Sequence, residues 1–328
     1  MNSGNYHIKS MTSIYFQGRL VGKPNQSNIT EQHRLTQWGL KMKTAVITDS
    51  ASYLDPKVAA QYKIKVLPIT IIFGTTQYRD GVDITSREFL EKLAAADQLP
   101  TTAQVTMQQM QTAFDELSAA GYDEVICVNL SSGITSFYEN LVAYSRTVTN
   151  IKVYPFDSKI ASAGEADLAL LAGSMALEGE NAKTIMPRLV ELRDSINVCL
   201  VVDSLDHLLR TGRISSTSAF VGNLLKIKPM LTFDDAGKIV PLEKARTMKQ
   251  ALAKILDRID QTVTDSDSQM RVSIVNADNP KVSHEWVAAI KARFPNVAVS
   301  TYEISPAITV HTGEKAMGVV WDKDWEAL

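Results

Sequence analysis

The chain has 328 residues, is 45% hydrophobic and 21% charged, and carries a formal net charge of −2. That is enough chain for two modest domains or one large one, and the composition is that of an ordinary globular protein. The near-neutral balance excludes a whole-molecule field that would draw in nucleic acid or an anionic membrane, and no run approaches the roughly 18 apolar residues that span a bilayer.

Residues 1–42 hold one acid, Glu31, scattered bases and no hydrophobic period. They lack the apolar core of a secretory signal and read as a poorly ordered extension. An upstream start, a tag remnant ("YFQG") and an acid-poor targeting leader all fit that composition. From Thr44 strand and helix alternate: "TAVITDS", the helix-like "YLDPKVAAQYK", a second strand "IKVLPITIIFG", and the helix "TSREFLEKLAAA" with Phe89, Leu90 and Leu93 on one face. The loop "LPTTAQVT" follows. Its Thr106 and Gln109 form a capping box for a helix with Met107, Met110, Phe114 and Leu117 at helical spacing. Thr101 and Thr102 come too early for that duty. Next come the strand "DEVICVNL", a helix "TSFYENLVAYSRTV" that Ser136 and Glu139 would box, the strand "IKVYPF" and two helices, "AGEADLALLAGSMALEG" and "NAKTIMPRLVELRDS". This spacing predicts a mostly parallel sheet covered on both faces.

Beyond about Ile196 the pattern changes. A strand "NVCLVVDS", a short helix "LDHLLRTG" and a helix "STSAFVGNLL" lead to "KPMLTFDDAGKIVPLEKAR", two strands joined around Asp235, Ala236 and Gly237. Helix "TMKQALAKILDRIDQTV", strand "RVSIVNA", helix "KVSHEWVAAIKARF", strand "NVAVSTYEI" and the closing "MGVVWDK" follow. A hairpin within an α/β series predicts a mixed sheet. We therefore expect an α/β fold with an N-terminal domain over 43–198 and a C-terminal mixed-sheet domain over 199–328.

Ligands of open parallel sheets collect beyond the carboxyl ends of the strands. Four loops leave such ends with hydroxyls, "TDSAS", "NLSSG", "FDSK" and "VVDSLDH". Helix capping is the plain reading of each. If Ser136 caps the helix after "NLSSG", then Ser131 and Ser132 are spare hydroxyls, as Thr101 and Thr102 are. No two of the five histidines share ligand spacing within an element, so no metal site is expected. His311 sits between an apolar run and a glycine, where a structural role is usual. No phosphate loop and no G-x-S-x-G elbow occur. A serine esterase using Ser132 or Ser131 with His311 stays open, as does a small-molecule sensor or structural module without lipid. Cys127 and Cys199 lie in apolar runs and read as buried reduced thiols. Arg210, Arg213, Lys226, Lys228, Lys244 and Arg246 form either a solvated face or a patch that docks a partner.

Together these segments resemble the DegV family of fatty-acid-binding proteins. The carrying motifs are "VITDSASYL", "LPTTAQ", "LSSGITSFY", "FDSKIAS", "GRIS", "LLKIKPML" and "VHTG", seven in the family's order from Lys43 to near Trp321. The resemblance implies two α/β domains with one long-chain fatty acid between them and no other cofactor. It implies that the chain presents the carboxylate to the catalytic subunit of a fatty acid kinase, in bacterial phospholipid metabolism in the cytoplasm, and is not itself an enzyme. By the same likeness Thr101, Thr102, Ser131, Ser132 and His311 cradle the carboxylate, and Arg213 docks the kinase. Two segments depart from the family: Thr102-Ala103-Gln104-Val105 replaces Thr-Ser-Gln-Pro, and Thr211 replaces the first glycine of "GGRI".

Overall fold

The computed structural model describes residues 42–215, 227–265 and 268–328. Expectations for residues 1–41, the helix at "STSAFVGNLL" and Lys226 lie outside these. The first series of elements builds a four-stranded sheet from β1 (Thr44–Asp49), β2 (Ile64–Leu67), β6 (Glu124–Asn129) and β7 (Lys152–Asp157). Its order is β2-β1-β6-β7, with all neighbours parallel. Every residue of β1 and β6 is buried, as expected of central strands covered on both faces. Pro155 sits in β7, an edge strand, the place in a sheet where proline is tolerated.

The helices of this half are α1 (Pro56–Gln61), α2 (Ser86–Ala94), α3 (Met107–Ala119), α4 (Phe137–Ser145), α5 (Ala163–Glu178) and α6 (Ala182–Arg193). The Thr106–Gln109 box caps α3 in both directions. The expected box on α4 does not form. Ser136 has ψ 10°, far from the extended backbone a cap needs, and Thr135 Oγ1 accepts the Phe137 N–H instead. Residues Ala163–Gly173 of α5 are buried without exception, because this helix contacts β1 and β6 and also β11 (Met270–Asn276) of the second sheet.

The expected single strand "IKVLPITIIFG" is two. Pro68 cannot donate to a ladder, so β2 stops at Leu67. β3 (Thr70–Phe73) then joins β4 (Thr76–Arg79) and β5 (Thr101–Ala103) in a separate antiparallel sheet of order β4-β3-β5. Thr101 and Thr102 thus belong to a strand rather than a loop, paired with Ile72 and Ile71.

The second half builds a six-stranded mixed sheet, order β10-β9-β8-β13-β11-β12. Its strands are β8 (Asn197–Val201), β9 (Lys228–Phe233), β10 (Ile239–Ala245), β11 (Met270–Asn276), β12 (Ala298–Glu303) and β13 (Met317–Lys323). Gly237 closes the β9–β10 hairpin at φ +71°, a conformation that favours glycine. α7 (Asp206–Arg210), α8 (Met248–Asp265) and α9 (Pro280–Arg293) accompany this sheet, and α9 connects the parallel pair β11 and β12. A short helix not read from the sequence, α10 (Pro306–Thr312), carries His311. Its Ala307 and Val310 pack into the core of the first half with Ile69, Phe89, Leu130 and Phe137.

Candidate functional site

That packing makes the site. α10 lies against β3 and β5, and a cavity of ≈340 Å³ opens beside the carboxyl ends of β1 and β6. Its walls are apolar where Ile69, Val105, Leu130, Phe137, Ala307 and Ile308 line it. Thr102, His311, Arg213 and Asp49 supply polar groups, with Gln104 and Thr135 beside them. Such a volume lies at the lower end of small-molecule sites, which typically run from ~300 to 1,000 Å³. A larger cavity of ≈640 Å³ is lined by Pro306 and Thr309 of α10 with Tyr53, Asp278 and Glu303. None of the candidate carboxylate-binding or docking residues, Thr101, Thr102, Ser131, Ser132, His311 and Arg213, lines it.

His311 Nε2 lies 2.9 Å from Thr102 Oγ1, across 209 residues of chain. The other ring nitrogen, Nδ1, is buried and has no partner within the protein. Burial, with the Arg213 and His207 charges adding to it, pushes the His311 pKa down to about 3. The ring is therefore neutral at physiological pH. When Nε2 carries the proton it donates to Thr102, and the Thr102 hydroxyl proton is free to point into the cavity. Arg213 is half-buried; Nη1 donates to Thr211 O at 2.7 Å, while Nε is buried without a partner. The α7 helix supports α10 through His207, whose Nδ1–H donates to Val310 O at 3.0 Å.

Asp49 forms the floor. It accepts the Ala51 N–H at 2.9 Å and the Leu130 N–H at 3.2 Å, tying the ends of β1 and β6 together. Burial raises its pKa to about 6. The fully buried Glu165 behind it is pushed well above the ordinary carboxylate range, first by burial and then by the Asp49 charge. Thr48 Oγ1 donates to Glu165 Oε1 at 3.1 Å. Glu165 thus holds a proton and Asp49 the charge.

The structure brings Thr102, His311 and Arg213 together, and places the remaining candidates elsewhere. Thr101 is exposed at the outer position of β5. Ser131 is buried and donates its hydroxyl to Gly237 O at 2.7 Å, fastening the "LSSG" loop to the β9–β10 turn. Gly133 abuts the same turn so closely that a Cβ would meet Gly237 C at 2.2 Å. Ser132 donates Oγ to Asp157 Oδ2 at 2.6 Å and its N–H to Oδ1 at 3.0 Å. The expectation that these two serines are spare hydroxyls is therefore corrected: both are spent on loop structure. The capping reading holds for Asp49, which caps a short 3-10 turn; Ser204 accepts the Asp206 N–H, but α7 has Leu205 at its N-cap and no side-chain cap. Gln104 and Thr135, hydrogen-bonded at 2.7 Å on the cavity wall, were not read from the sequence. The family spacing around "TTAQ" was the signal available for Gln104. Both cysteines are free and buried. Among the described residues no group of three or more His, Cys, Asp or Glu could hold a metal ion, and no helix is long and apolar enough to cross a membrane.

A mixed α/β architecture with a parallel sheet, a second mixed sheet and a half-apolar cavity defines the class. The family profile described as "Uncharacterised protein, DegV family" matches residues 43–324, and the chain belongs to the DegV family. It is 34% identical over 281 residues to Protein DegV of Bacillus subtilis, covering 85% of this chain and 99% of that one. The crystal structure of DegV, a fatty acid binding protein from Bacillus subtilis, superposes with a TM-score of 0.80 at 33% identity, covering 86% of this chain and 99% of that one. A fatty acid binding DegV family protein from Streptococcus agalactiae gives a TM-score of 0.79 at 29% identity, over 86% and 99% of the two chains.

Proposed function

We propose that this chain binds one long-chain fatty acid, with the carboxylate at Thr102 and His311 and the tail along the apolar wall. The observation that carries this reading is a cavity in which the uncharged Thr102–His311 pair meets an apolar wall of Ile69, Val105, Leu130, Phe137 and Ile308. Burying ~15 methylenes at ~0.8 kcal/mol each gives on the order of 12 kcal/mol gross, and immobilisation removes several kcal/mol of it. The tail supplies affinity, so the head group needs only to avoid a large desolvation cost. Hydrogen bonds from neutral O–H donors to an ionised acceptor do this. A His311 that stays uncharged fits that scheme by passing its Nε2 proton toward Thr102 and freeing the hydroxyl for the ligand. Thr101, Ser131 and Ser132 could join the cradle only by rearranging. Arg213 borders the same cavity, so we assign it to the ligand's entrance as well as to the docking of a kinase.

In this reading residues 43–198 and 199–328 act as two domains that close on the lipid. The chain presents the bound acid to an ATP-dependent fatty acid kinase in a bacterial cytoplasm, and the chemistry belongs to that partner. The absence of phosphate loops from the sequence supports the division of labour. An organic extract of the purified protein, examined by mass spectrometry, should contain a stoichiometric long-chain acid; a blank extract would refute the carrier. Thr102→Val should lower retention about tenfold with the fold intact, as expected from losing one charge-assisted hydrogen bond. The esterase alternative finds less support, because neither Ser131 nor Ser132 hydrogen-bonds His311. Turnover of a chromogenic ester, abolished by His311→Ala, would revive it.

A further inference from the structure

We propose that His207 is a positioning residue for His311: its ring closes the carboxyl end of α10, and losing that bond loosens the head-group end of the cavity. The role rests on the fatty-acid reading, since the Thr102–His311 pair it steadies is the one offered to the carboxylate. The His311 ring bonds the protein through Nε2, 2.9 Å from Thr102 Oγ1, while its Nδ1 has no partner. Where the ring sits therefore depends on where its helix sits. α10 is seven residues long, too short to hold itself. At its amino end Ser305 Oγ accepts the Ile308 N–H at 3.1 Å. At the carboxyl end the Gly313 N–H closes on Thr309 O at 2.9 Å. The Val310 carbonyl is one of those that a helix end leaves over, and Val310 is fully buried, away from water. His207 satisfies it: Nδ1 lies 3.0 Å from Val310 O, and because a carbonyl only accepts, Nδ1 carries the proton. The ring also packs on the residue that ends the helix. A Cβ at Gly313 would come within 3.2 Å of His207 Cδ2 and 3.5 Å of Nε2.

The helix that presents His207 is itself fixed. Leu205 and Leu208 are fully buried on either side of it. Thr211 donates both its N–H and its Oγ1–H to His207 O, at 3.0 and 2.7 Å. Thr211 stands where the family motif has glycine, so the second of these bonds comes from a side chain that glycine lacks. The Arg213 N–H donates to Leu208 O at 2.9 Å, and Arg213 Nη1 to Thr211 O at 2.7 Å. One short helix thus places two groups that border the cavity, Arg213 directly and His311 through Val310. Without the His207 donor a buried carbonyl loses its partner. Helix ends are the part that frays, and His311 lies in the last turn.

The test uses the full chain labelled with 15N-histidine at pH 8, with ring resonances assigned by their loss in His207→Asn and His311→Gln. Wild-type His207 should show the tautomer protonated at Nδ1, and His311 a single neutral tautomer. His207→Phe keeps an aromatic ring and removes the donor. His311 should then show the averaged nitrogen shifts of mixed tautomers, and oleate should bind roughly three- to tenfold more weakly, as for one lost hydrogen bond. His207→Asn, whose amide N–H stands where Nδ1–H stands, should restore both readouts. Should His207→Phe fail to fold, His207→Leu serves instead, because leucine favours the helix and carries no donor. A wild-type His207 protonated at Nε2 overturns the proposal by itself. So does a folded Phe or Leu variant with unchanged His311 signals, or an Asn variant that does not restore them. A wild type that binds no oleate sinks the ligand assignment instead, and the His311 signals still decide the role of His207.

Discussion

Replacing Arg271 by methionine should cost more stability than any surface change, and the loss should grow with pH. Arg271 projects from β11 with 9% of its side chain exposed. Its Nη2 lies 2.8 Å from Asp324 and 3.0 Å from Glu326, Nη1 donates to Ser300 Oγ at 3.2 Å, and the guanidinium stacks over Trp325 at 5.3 Å. Two further acids sit in its field, Asp167 of α5 and Asp322 of β13, both buried. Burial raises Asp167 to about 7 against the pull of Arg271, and it drives Asp322 well above the carboxylate range. Methionine fills similar volume but leaves these carboxylates without their cation. Removing one partner of a buried pair costs ~3–5 kcal/mol.

The pH dependence of that loss has a definite sign. With folded pKa values raised above the unfolded ones, the native state holds more protons from about pH 4 upward, so stability falls as pH rises. Losing Arg271 raises those values further and steepens the fall. Urea denaturation at pH 5 and pH 8 should therefore show the larger destabilisation at pH 8, a midpoint lower by about 1–2 M for an m-value of ~2–3 kcal/mol/M. A variant within about 1 kcal/mol of wild type at pH 8, or one with equal losses at both pH values, refutes the view that this cluster is held by charge.

Gly133→Ala should destabilise by at least ~2 kcal/mol, because the added Cβ meets backbone atoms of Gly237 and Lys238 rather than a yielding side chain; a thermal melt within 1 °C of wild type would contradict this. Thr106→Ala removes the cap of α3 and should cost ~1 kcal/mol in urea titrations. Neither thiol should react with a disulfide reagent at pH 8 before the protein unfolds, since burial pushes Cys199 up to about 12 and Cys127 higher still. Stoichiometric labelling of the native protein would show that β6 or β8 opens.

Much of the lineage and layout could be read directly. Central strands such as "DEVICVNL" are continuous apolar runs because both faces are covered, and the Thr106–Gln109 cap is a local hydrogen-bond pattern four residues long. Errors fell where a single residue decided a wider pairing. Pro68 ended β2 and sent the next residues to another sheet, a choice that depends on β5, some thirty residues away.

The sequence by itself determined the alternation of strand and helix, the family, and the presence of hydroxyls and a histidine in plausible places, because periodicity, caps and motifs are written in neighbouring residues. Only the tertiary structure decided which hydroxyls are available. Ser131 and Ser132 look like Thr102 in the chain, yet their protons go to Gly237 and Asp157. Thr102 meets His311 because α10 packs its apolar face into the core of the first half. A hydrogen bond's partner is fixed by where distant elements pack, and no local pattern records that distance.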